Sequence, residues 1–187
     1  ESKKKSTVLP QLRGVSPKLI DSNSGGVLVV YAYDERDDTH KDNLLYFLEV
    51  CVLADAMESL AHVNYVIVVN GAYTVTFPEL PNLHVIYRDH QCNNFGSWGV
   101  GLAERLPIHS HFFCINSEVK GPFLPMWFRE HWTEVFLAHM QGDTVLVGLS
   151  VNCPDGIGRA IPHVASLLYA FDRTALDIGL SRGIFSC

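Results

Sequence analysis

The sequence lacks any apolar run long enough to span a bilayer. Its longest apolar stretches are Val27–Tyr33 and Tyr65–Val69, which have the length of strands, whereas a membrane-spanning helix needs about 20 consecutive apolar residues. The first residues also lack a methionine and the apolar core of a signal sequence. We therefore expect no membrane segment in this chain, and we expect the sequence to be an excised region of a longer protein.

Positive charge is also scarce. The chain has 14 lysines and arginines against 20 aspartates and glutamates, a formal net charge of −6. General nucleic-acid binding needs a basic face that neutralises phosphates, so this balance argues against nucleic acid as a partner. With 187 residues, 48% of them hydrophobic and 18% charged, the composition is typical of one globular domain with its own core.

Cysteine pairs are missing from the sequence pattern. The five cysteines are scattered, no C-x-x-C pair occurs, and there is no N-x-S/T glycosylation site. An odd number of dispersed cysteines is typical of free thiols in a reducing compartment. We therefore predict free thiols and a cytoplasmic location. The secretory pathway or Golgi lumen is the alternative if an amino-terminal anchor has been removed.

Glycine-rich phosphate loops are missing as well. The first predicted strand, Val27–Tyr33, is followed by the charged segment Asp34–Asp38, which contains no glycine, and no P-loop pattern occurs. A dinucleotide-binding fold needs a glycine-rich turn directly after its first strand. These two absences exclude the commonest nucleotide-binding α/β classes.

Apolar periodicity predicts alternating strands and helices. Residues 1–26 predict a tail or lead-in, and residues 27–187 form the predicted domain. Strands are predicted at Val27–Tyr33, Tyr65–Val69, Leu83–Tyr87, Phe112–Ile115 and Thr144–Leu149. Helices are predicted at Asn43–Leu60, Ser97–Arg105, Pro125–Met140 and Asp172–Leu180, while Val164–Phe171 fits either type. This alternation predicts a single α/β domain whose mostly parallel central sheet has helices on both faces.

The most informative segment is the polar cluster that follows the predicted strand Phe112–Ile115. Its members are Asn116, Ser117, Glu118 and Lys120. In open α/β sheets, ligands bind in the crevice outside the carboxyl ends of the strands. An amide, a hydroxyl, a carboxylate and an ammonium at that edge can hold a cation or a sugar diphosphate. An asparagine and a glutamate that merely cap a loop would give the same pattern.

Several motifs in fixed order resemble a known family. They are Val30–Tyr33 with Val68–Gly71, then Cys92–Trp98, then Ile115–Pro125. In this order they resemble glycosyltransferase-like proteins of the rhamnan-synthesis type and their relatives in algae and large viruses. Members carry a pattern like N-x-G/C-F-D-F-G-S-W before a helix, and then a strand that ends in N-x-S-x-x-G-P-F-L-P. The likeness extends roughly from Val27 to the end of the chain.

The resemblance implies a GT-A-like fold, related to the Rossmann folds, that moves a sugar from a nucleotide-sugar donor to a glycan or another hydroxyl acceptor. The implied setting is carbohydrate or polysaccharide biosynthesis. Many such enzymes hold Mn²⁺ or Mg²⁺ on the donor diphosphate with a D-x-D motif after a central strand. The matching positions are Asn116–Glu118, so the resemblance implies Glu118 and Asn116 as metal ligands. We also expect the family domain to continue beyond Cys187.

Departures from the family pattern support an alternative function. The metal motif has one carboxylate, Glu118, instead of two, and Asn94 stands where the family has aspartate. An amide is neither a base nor a strong metal ligand. The alternative is therefore a catalytically silent relative that binds a glycan or a partner protein.

The expected chemistry assigns roles to single residues. The candidate catalytic groups are Glu118, His163 and Glu134, of which the last two could take the acceptor's proton. The candidate nucleotide-sugar contacts are Tyr31, Tyr33, Asp34, Asn70, Asn94, Gly96, Asn116 and Lys120. We expect a tyrosine to stack on the base, Lys120 to meet the diphosphate, and the helix that starts at Ser97 to offer its N-terminus to phosphate.

A serine hydrolase is the least favoured alternative. Such enzymes carry a G-x-S-x-G elbow between a strand and a helix. Gly148–Asn152 comes close to this pattern, with Ser150 at its centre and His163 downstream, but it lacks the final glycine and a following helix. We therefore interpret Ser150 as a hydroxyl at the end of a strand.

Overall fold

A computed structural model describes residues 26–58, 63–89, 93–103, 109–153 and 161–187. The strands are β1 (Gly26–Tyr33), β2 (Val63–Asn70), β3 (Leu83–Arg88), β4 (His109–Asn116), β5 (Leu146–Gly148), β6 (Val151–Asn152), β7 (His163–Val164) and β8 (Leu168–Asp172). The helices are α1 (Asp38–Phe47), α2 (Ala54–Glu58), α3 (Asn94–Ala103), α4 (Glu134–Leu137) and α5 (Arg173–Ser181), and the π-helical segment Leu48–Leu53 joins α1 to α2. The tail predicted for residues 1–26 lies outside the described residues except for Gly26, which opens β1.

The central sheet has six strands in the order β3-β2-β1-β4-β8-β5. Strands β1 to β4 pair in parallel, whereas β8 is antiparallel to both β4 and β5. Strands β6 and β7 form a separate two-stranded sheet. The predicted fold class, an α/β protein with a mostly parallel central sheet, is confirmed.

Both faces of the sheet are covered. Every residue of β1 and β2 is buried, which explains why these strands are continuous apolar runs rather than alternating ones. Val29 and Tyr31 pack on the face that carries α1, α2 and α4, while Leu28 and Val30 pack on the face that carries α3 and α5. Helix α3 lies close to β1 because Gly101 has no side chain: a Cβ there would be 2.4 Å from Val30 Cγ1.

The strand order reverses its direction at one point of the sheet. From β1 the chain moves outward through β2 to β3 and then crosses to β4 on the other side of β1. The connections therefore diverge between β1 and β4, and their parallel carboxyl ends meet there. This is the topological switch point at which open α/β sheets bind ligands.

The predicted helix Pro125–Met140 is wrong for most of its length. Only Glu134–Leu137 forms an α-helix, and turns and irregular segments surround it. The prediction rested on aromatic residues at helical spacing in this segment, and these residues do not share one buried face. Trp132 is buried in the core, whereas Trp127 is 76% exposed.

Helix α1 begins earlier than predicted. The sequence predicted a helix that begins at Asn43, but the helix starts at Asp38 because Asp37 Oδ1 accepts a hydrogen bond from His40 N at 3.0 Å. This is an N-cap, which supplies an acceptor to an otherwise unpaired backbone donor. The loop between β1 and α1 is therefore short.

The cysteines do not all behave as predicted. Cys51, Cys114 and Cys153 are free thiols, but Cys187 is disulfide-bonded. The prediction of free thiols is wrong for Cys187, because spacing along the chain does not show which cysteines meet in space. Nowhere in the described part of the chain is a helix both long and apolar enough to cross a membrane.

Candidate functional site

The first strand and the fourth strand are joined at their carboxyl ends by Asp34 and Ser117. The Ser117 hydroxyl lies 3.4 Å from both Asp34 N and Asp34 O. Ser117 is held in turn by Asn43, whose side-chain amide donates to Ser117 O at 2.9 Å. The polar residues that follow β4 are thus fixed beside those that follow β1, at the switch point of the sheet.

An arginine that the sequence analysis missed connects the carboxylates of this edge. Arg36 Nε donates to Asp34 Oδ2 at 2.8 Å, and Arg36 Nη1 lies 3.5 Å from Glu118 Oε1. We call Asp34, Arg36 and Glu118 the charged bridge. Its side chains reach solvent: Arg36 is 54% exposed and Glu118 is 46% exposed. The hydrogen bond to Asp34 raises the pKa of Arg36, so the guanidinium stays charged.

A second carboxylate network supports the same edge. Glu35 accepts hydrogen bonds from Thr74 N at 2.7 Å, from Thr74 Oγ1 at 2.5 Å and from Tyr33 OH at 2.8 Å. Lys41 Nζ donates to the same threonine hydroxyl at 2.6 Å. Burial alone would raise the pKa of Glu35, but the hydrogen bonds from Thr74 and Tyr33 outweigh it and lower that pKa. The network ties the loop after β2 to the loop after β1.

The predicted asparagine ligands are engaged in holding loops. Asn116 Nδ2 donates to Ser166 O at 2.9 Å, and its Oδ1 accepts from Glu118 N at 3.1 Å. Asn70 Nδ2 donates to Tyr33 O at 3.3 Å, and its Oδ1 accepts from Ser97 Oγ at 3.3 Å. Both side chains are buried.

The two predicted base-stacking tyrosines lie inside the core. Tyr31 is 1% exposed and Tyr33 is 0% exposed, and the Tyr31 ring packs 5.0 Å from the Phe47 ring. Burial raises the pKa of both hydroxyls. Neither ring has a face open to a nucleotide base in this conformation.

The start of α3 contains the predicted contacts Asn94 and Gly96. Gly96 N donates to Asn93 Oδ1 at 2.8 Å, so the side chain of Asn93 already caps the helix. Gly96 is buried and Asn94 is half-buried. One of the backbone N–H groups that we expected to bind phosphate at this helix N-terminus therefore already has an acceptor within the chain.

The predicted proton acceptors are on elements other than those that carry the charged bridge. His163 is on the small β6–β7 sheet, where its Nδ1 lies 3.0 Å from Ile161 O. Glu134 is an exposed residue that begins α4. Ser150 is also exposed, and among the described residues no hydrogen bond joins its hydroxyl to His163 or to another histidine. The structure therefore gives no support to a serine hydrolase.

An apolar cavity of about 300 Å³ lies next to the carboxyl end of β4. Ile115 and Leu168, which pair across β4 and β8, form part of its wall together with Phe47, Trp132 and Phe136. Lys120 lines the same cavity, with Nζ 5.7 Å from the centre of the Tyr46 ring.

A cluster of hydrogen-bonded polar side chains contacts Trp132, which lines this cavity. We call Asp55, Tyr65, His131 and Thr133 the Asp55 cluster. Tyr65 OH donates to Asp55 Oδ2 at 2.5 Å, and His131 Nε2 lies 3.0 Å from the same oxygen. His131 Nδ1 lies 2.8 Å from Thr133 Oγ1 and 3.4 Å from Thr133 N. Because the backbone N–H can only donate, we assign Nδ1 as the acceptor and Nε2 as the proton carrier. Burial raises the pKa of Tyr65, so its hydroxyl remains a donor.

The Asp55 cluster positions one wall of the apolar cavity. Trp132 stands between His131 and Thr133 in sequence, and its Nε1 donates to Tyr65 OH at 3.5 Å. A second cavity, of about 700 Å³, includes Asp55, His131 and Glu134 and shares Trp132 with the apolar cavity. No local sequence pattern indicates this cluster, since Asp55 and His131 are 76 residues apart.

Metal ligands are few at the charged bridge. Within the described ranges, no group of three or more His, Cys, Asp or Glu could hold a metal ion. Asp34 and Glu118 nevertheless place two carboxylates on one guanidinium, and Mg²⁺ is often bound by one or two carboxylates together with substrate phosphates. The oxygen donors present therefore suit a cation that arrives with a phosphorylated ligand.

Comparison with protein-family models gives no match, and comparison with curated proteins finds no relative. The resemblance to glycosyltransferase-like proteins therefore rests on the sequence motifs alone.

Proposed function

We propose that this domain is a glycosyltransferase that binds a nucleotide-sugar donor between the carboxyl ends of β1 and β4. The observation that carries the proposal is the charged bridge at the switch point of the sheet. Ligands of open α/β sheets bind at this point, and the motifs described above supply the reaction class. The partners are a nucleotide sugar and a glycan or other hydroxyl acceptor.

The charge of the bridge explains how a diphosphate would bind. Two carboxylates against one guanidinium leave an excess of one negative charge, which repels phosphate. We propose that Asp34 and Glu118 hold a Mn²⁺ or Mg²⁺ ion and that Arg36 turns to the diphosphate, which matches the fork of a guanidinium. Asp34 replaces Asn116 in this ligand set, because the amide of Asn116 is engaged with Ser166 and Glu118.

The transfer itself breaks the bond between the anomeric carbon and the diphosphate oxygen and forms a bond to the acceptor oxygen. The bound cation would neutralise charge on the departing diphosphate. The acceptor hydroxyl loses a proton, which we assign to Glu134. That carboxylate lines the 700 Å³ cavity beside Trp132. His163 is less suited, since its ring contacts Ile161 and Asn152.

The disulfide at Cys187 bears on the compartment. Disulfides persist in oxidising compartments and are rare in the cytosol. We therefore favour the secretory alternative over the cytoplasmic location that the cysteine pattern predicted.

Thermal unfolding with a panel of nucleoside diphosphates and nucleotide sugars, with and without Mn²⁺, tests the donor site. A ligand that binds only the folded chain raises the melting temperature. We expect a matching ligand to do so only when Mn²⁺ is present, and we expect Asp34→Asn and Glu118→Gln to abolish the shift. The matched control is Glu79→Gln, an exposed glutamate in the loop between β2 and β3, which should keep it.

Two outcomes would contradict parts of the proposal. If no nucleotide or nucleotide sugar stabilises the protein, the donor site is refuted. If the donor binds but neither transfers nor hydrolyses its sugar with any acceptor tested, the silent binding module is the better description.

A further inference from the structure

The apolar cavity beside β4 is too large to be a packing defect. Protein interiors are packed nearly as densely as organic crystals, with few voids larger than a water molecule. A volume of about 300 Å³ lies at the lower end of the range for ligand pockets, roughly 300–1,000 Å³. Its walls come from aromatic and aliphatic side chains, among them Phe47, Ile115, Trp132, Phe136 and Leu168. Such walls suit a hydrocarbon chain.

One positively charged side chain lines this cavity. Lys120 is exposed and lines it, and it is the only charged residue among the described residues that do so. In the described part of the chain, no carboxylate lies within ion-pair distance of its ammonium group, which lies over the Tyr46 ring. A cation beside an apolar cavity favours a ligand with an apolar body and an anionic head.

The rim of the cavity is also apolar and open to solvent. Phe123 is 66% exposed and Leu124 is 39% exposed, and both line the cavity. The exposed apolar surface continues to Met126 and Trp127, which are 94% and 76% exposed. Adjacent large apolar side chains facing water mark a binding surface more often than chance exposure. A chain longer than the cavity would cover this rim.

We infer that the cavity binds an amphiphile whose apolar chain fills the cavity while its anionic head meets Lys120, and that this amphiphile also carries the acceptor hydroxyl. The acceptor role rests on the proposed function. Lys120 follows Glu118 of the charged bridge by two positions, so the head group would lie beside the donor site. Alkyl phosphates and alkyl carboxylates share the required chemistry.

Binding is tested with decyl phosphate, decanoate and uncharged decanol, each carrying bromine on its chain. Bromine quenches tryptophan fluorescence at short range, and Trp132 lines the cavity. A Trp127→Phe background removes the exposed tryptophan, and Trp98 is buried on the opposite face of the sheet. We expect saturable quenching by the two anions and weaker quenching by decanol. The anion with the lower dissociation constant identifies the preferred head group.

Variants separate the head contact from the chain contact. Lys120→Gln should weaken the anions about tenfold, the equivalent of about 1.4 kcal/mol, and leave decanol unchanged, while Lys120→Arg should retain anion binding. Val135→Phe, at an exposed lining position, should weaken all three ligands. Val151→Phe is its matched control, because Val151 is also an exposed valine and lines neither described cavity.

The inference is overturned if none of the three ligands quenches, or if Val135→Phe and Val151→Phe behave alike. It is also overturned if the protein binds neutral lipid vesicles or self-associates without binding monomeric decyl phosphate, since the rim then serves a different partner. Nucleotide binding is measured separately by melting temperature. Absence of donor binding with intact quenching refutes the proposed function and the acceptor role but leaves the amphiphile site, and the reverse result refutes only the amphiphile site.

Discussion

The Asp55 cluster and the charged bridge are both groups of ionisable side chains, but burial gives them different roles. Asp55 is 6% exposed and His131 is 13% exposed, whereas Arg36 and Glu118 are 54% and 46% exposed. A buried carboxylate needs all its donors, because losing one leaves an unpaired polar group away from water. An exposed ion pair contributes little to stability because water can replace its partners. The first group thus stabilises the fold, and the second can exchange partners with a ligand.

The largest expected effect is on stability, from Asp55→Ala. Tyr65 OH and His131 Nε2 would both lose their acceptor in a buried site. We expect the free energy of unfolding to fall by about 3 kcal/mol, measured by urea denaturation. Glu58→Ala, an exposed position on the same helix, should change it by less than about 0.5 kcal/mol. Equal losses in the two variants would show that the Asp55 cluster does not stabilise the fold.

Arg36→Ala should have little effect on stability and a large effect on donor binding. Its ion pairs with Asp34 and Glu118 are exposed, so we expect the free energy of unfolding to change by less than about 1 kcal/mol. Binding of the nucleotide-sugar donor with Mn²⁺ should weaken at least tenfold, because a charge-assisted contact to the diphosphate is lost. Scanning calorimetry measures the stability of the fold, and titration calorimetry measures the dissociation constant of the donor. Arg182→Ala, an exposed arginine next to α5, is the control and should alter neither. A large loss of stability with unchanged donor binding would reverse the roles assigned to the two groups.

The sequence predicted the sheet better than it predicted either polar group. Continuous apolar runs identified β1, β2 and β4 because strands covered on both faces have no polar side to interrupt them. Strand ends also pointed to Asp34 and Glu118, since parallel strands bring their carboxyl ends to one edge. Arg36 was missed because nothing in a loop sequence fixes the direction of a long side chain. The pairing of Asp55 with His131 depends on a tertiary contact that no local pattern encodes.

The helix prediction failed for a related reason. Aromatic residues at helical spacing between Pro125 and Met140 suggested one buried face, but Trp132 is buried and Trp127 is exposed. The exposed Trp127 instead continues the apolar surface of Phe123 and Leu124, which line a cavity. Periodicity measures where apolar residues lie in sequence, and it does not distinguish residues that fill a core from residues that line a binding site.

The smallest expected effect comes from Glu35, which lies between the two extremes of burial. Hydrogen bonds from Thr74 and Tyr33 outweigh desolvation and lower its pKa below the ordinary value of 4.5. Because the folded-state pKa is the lower one, the carboxylate stabilises the fold at pH values above 4.5, and that contribution is lost as the pH falls through the folded-state pKa. Glu35→Gln should therefore destabilise the protein at pH 7, and the difference from the unsubstituted chain should shrink in acid. Urea denaturation at a series of pH values measures this difference, with Glu79→Gln as the exposed control. A difference that stays constant into acid would mean that the lost hydrogen-bond geometry, and not the charge of Glu35, holds the loop after β2 against the loop after β1.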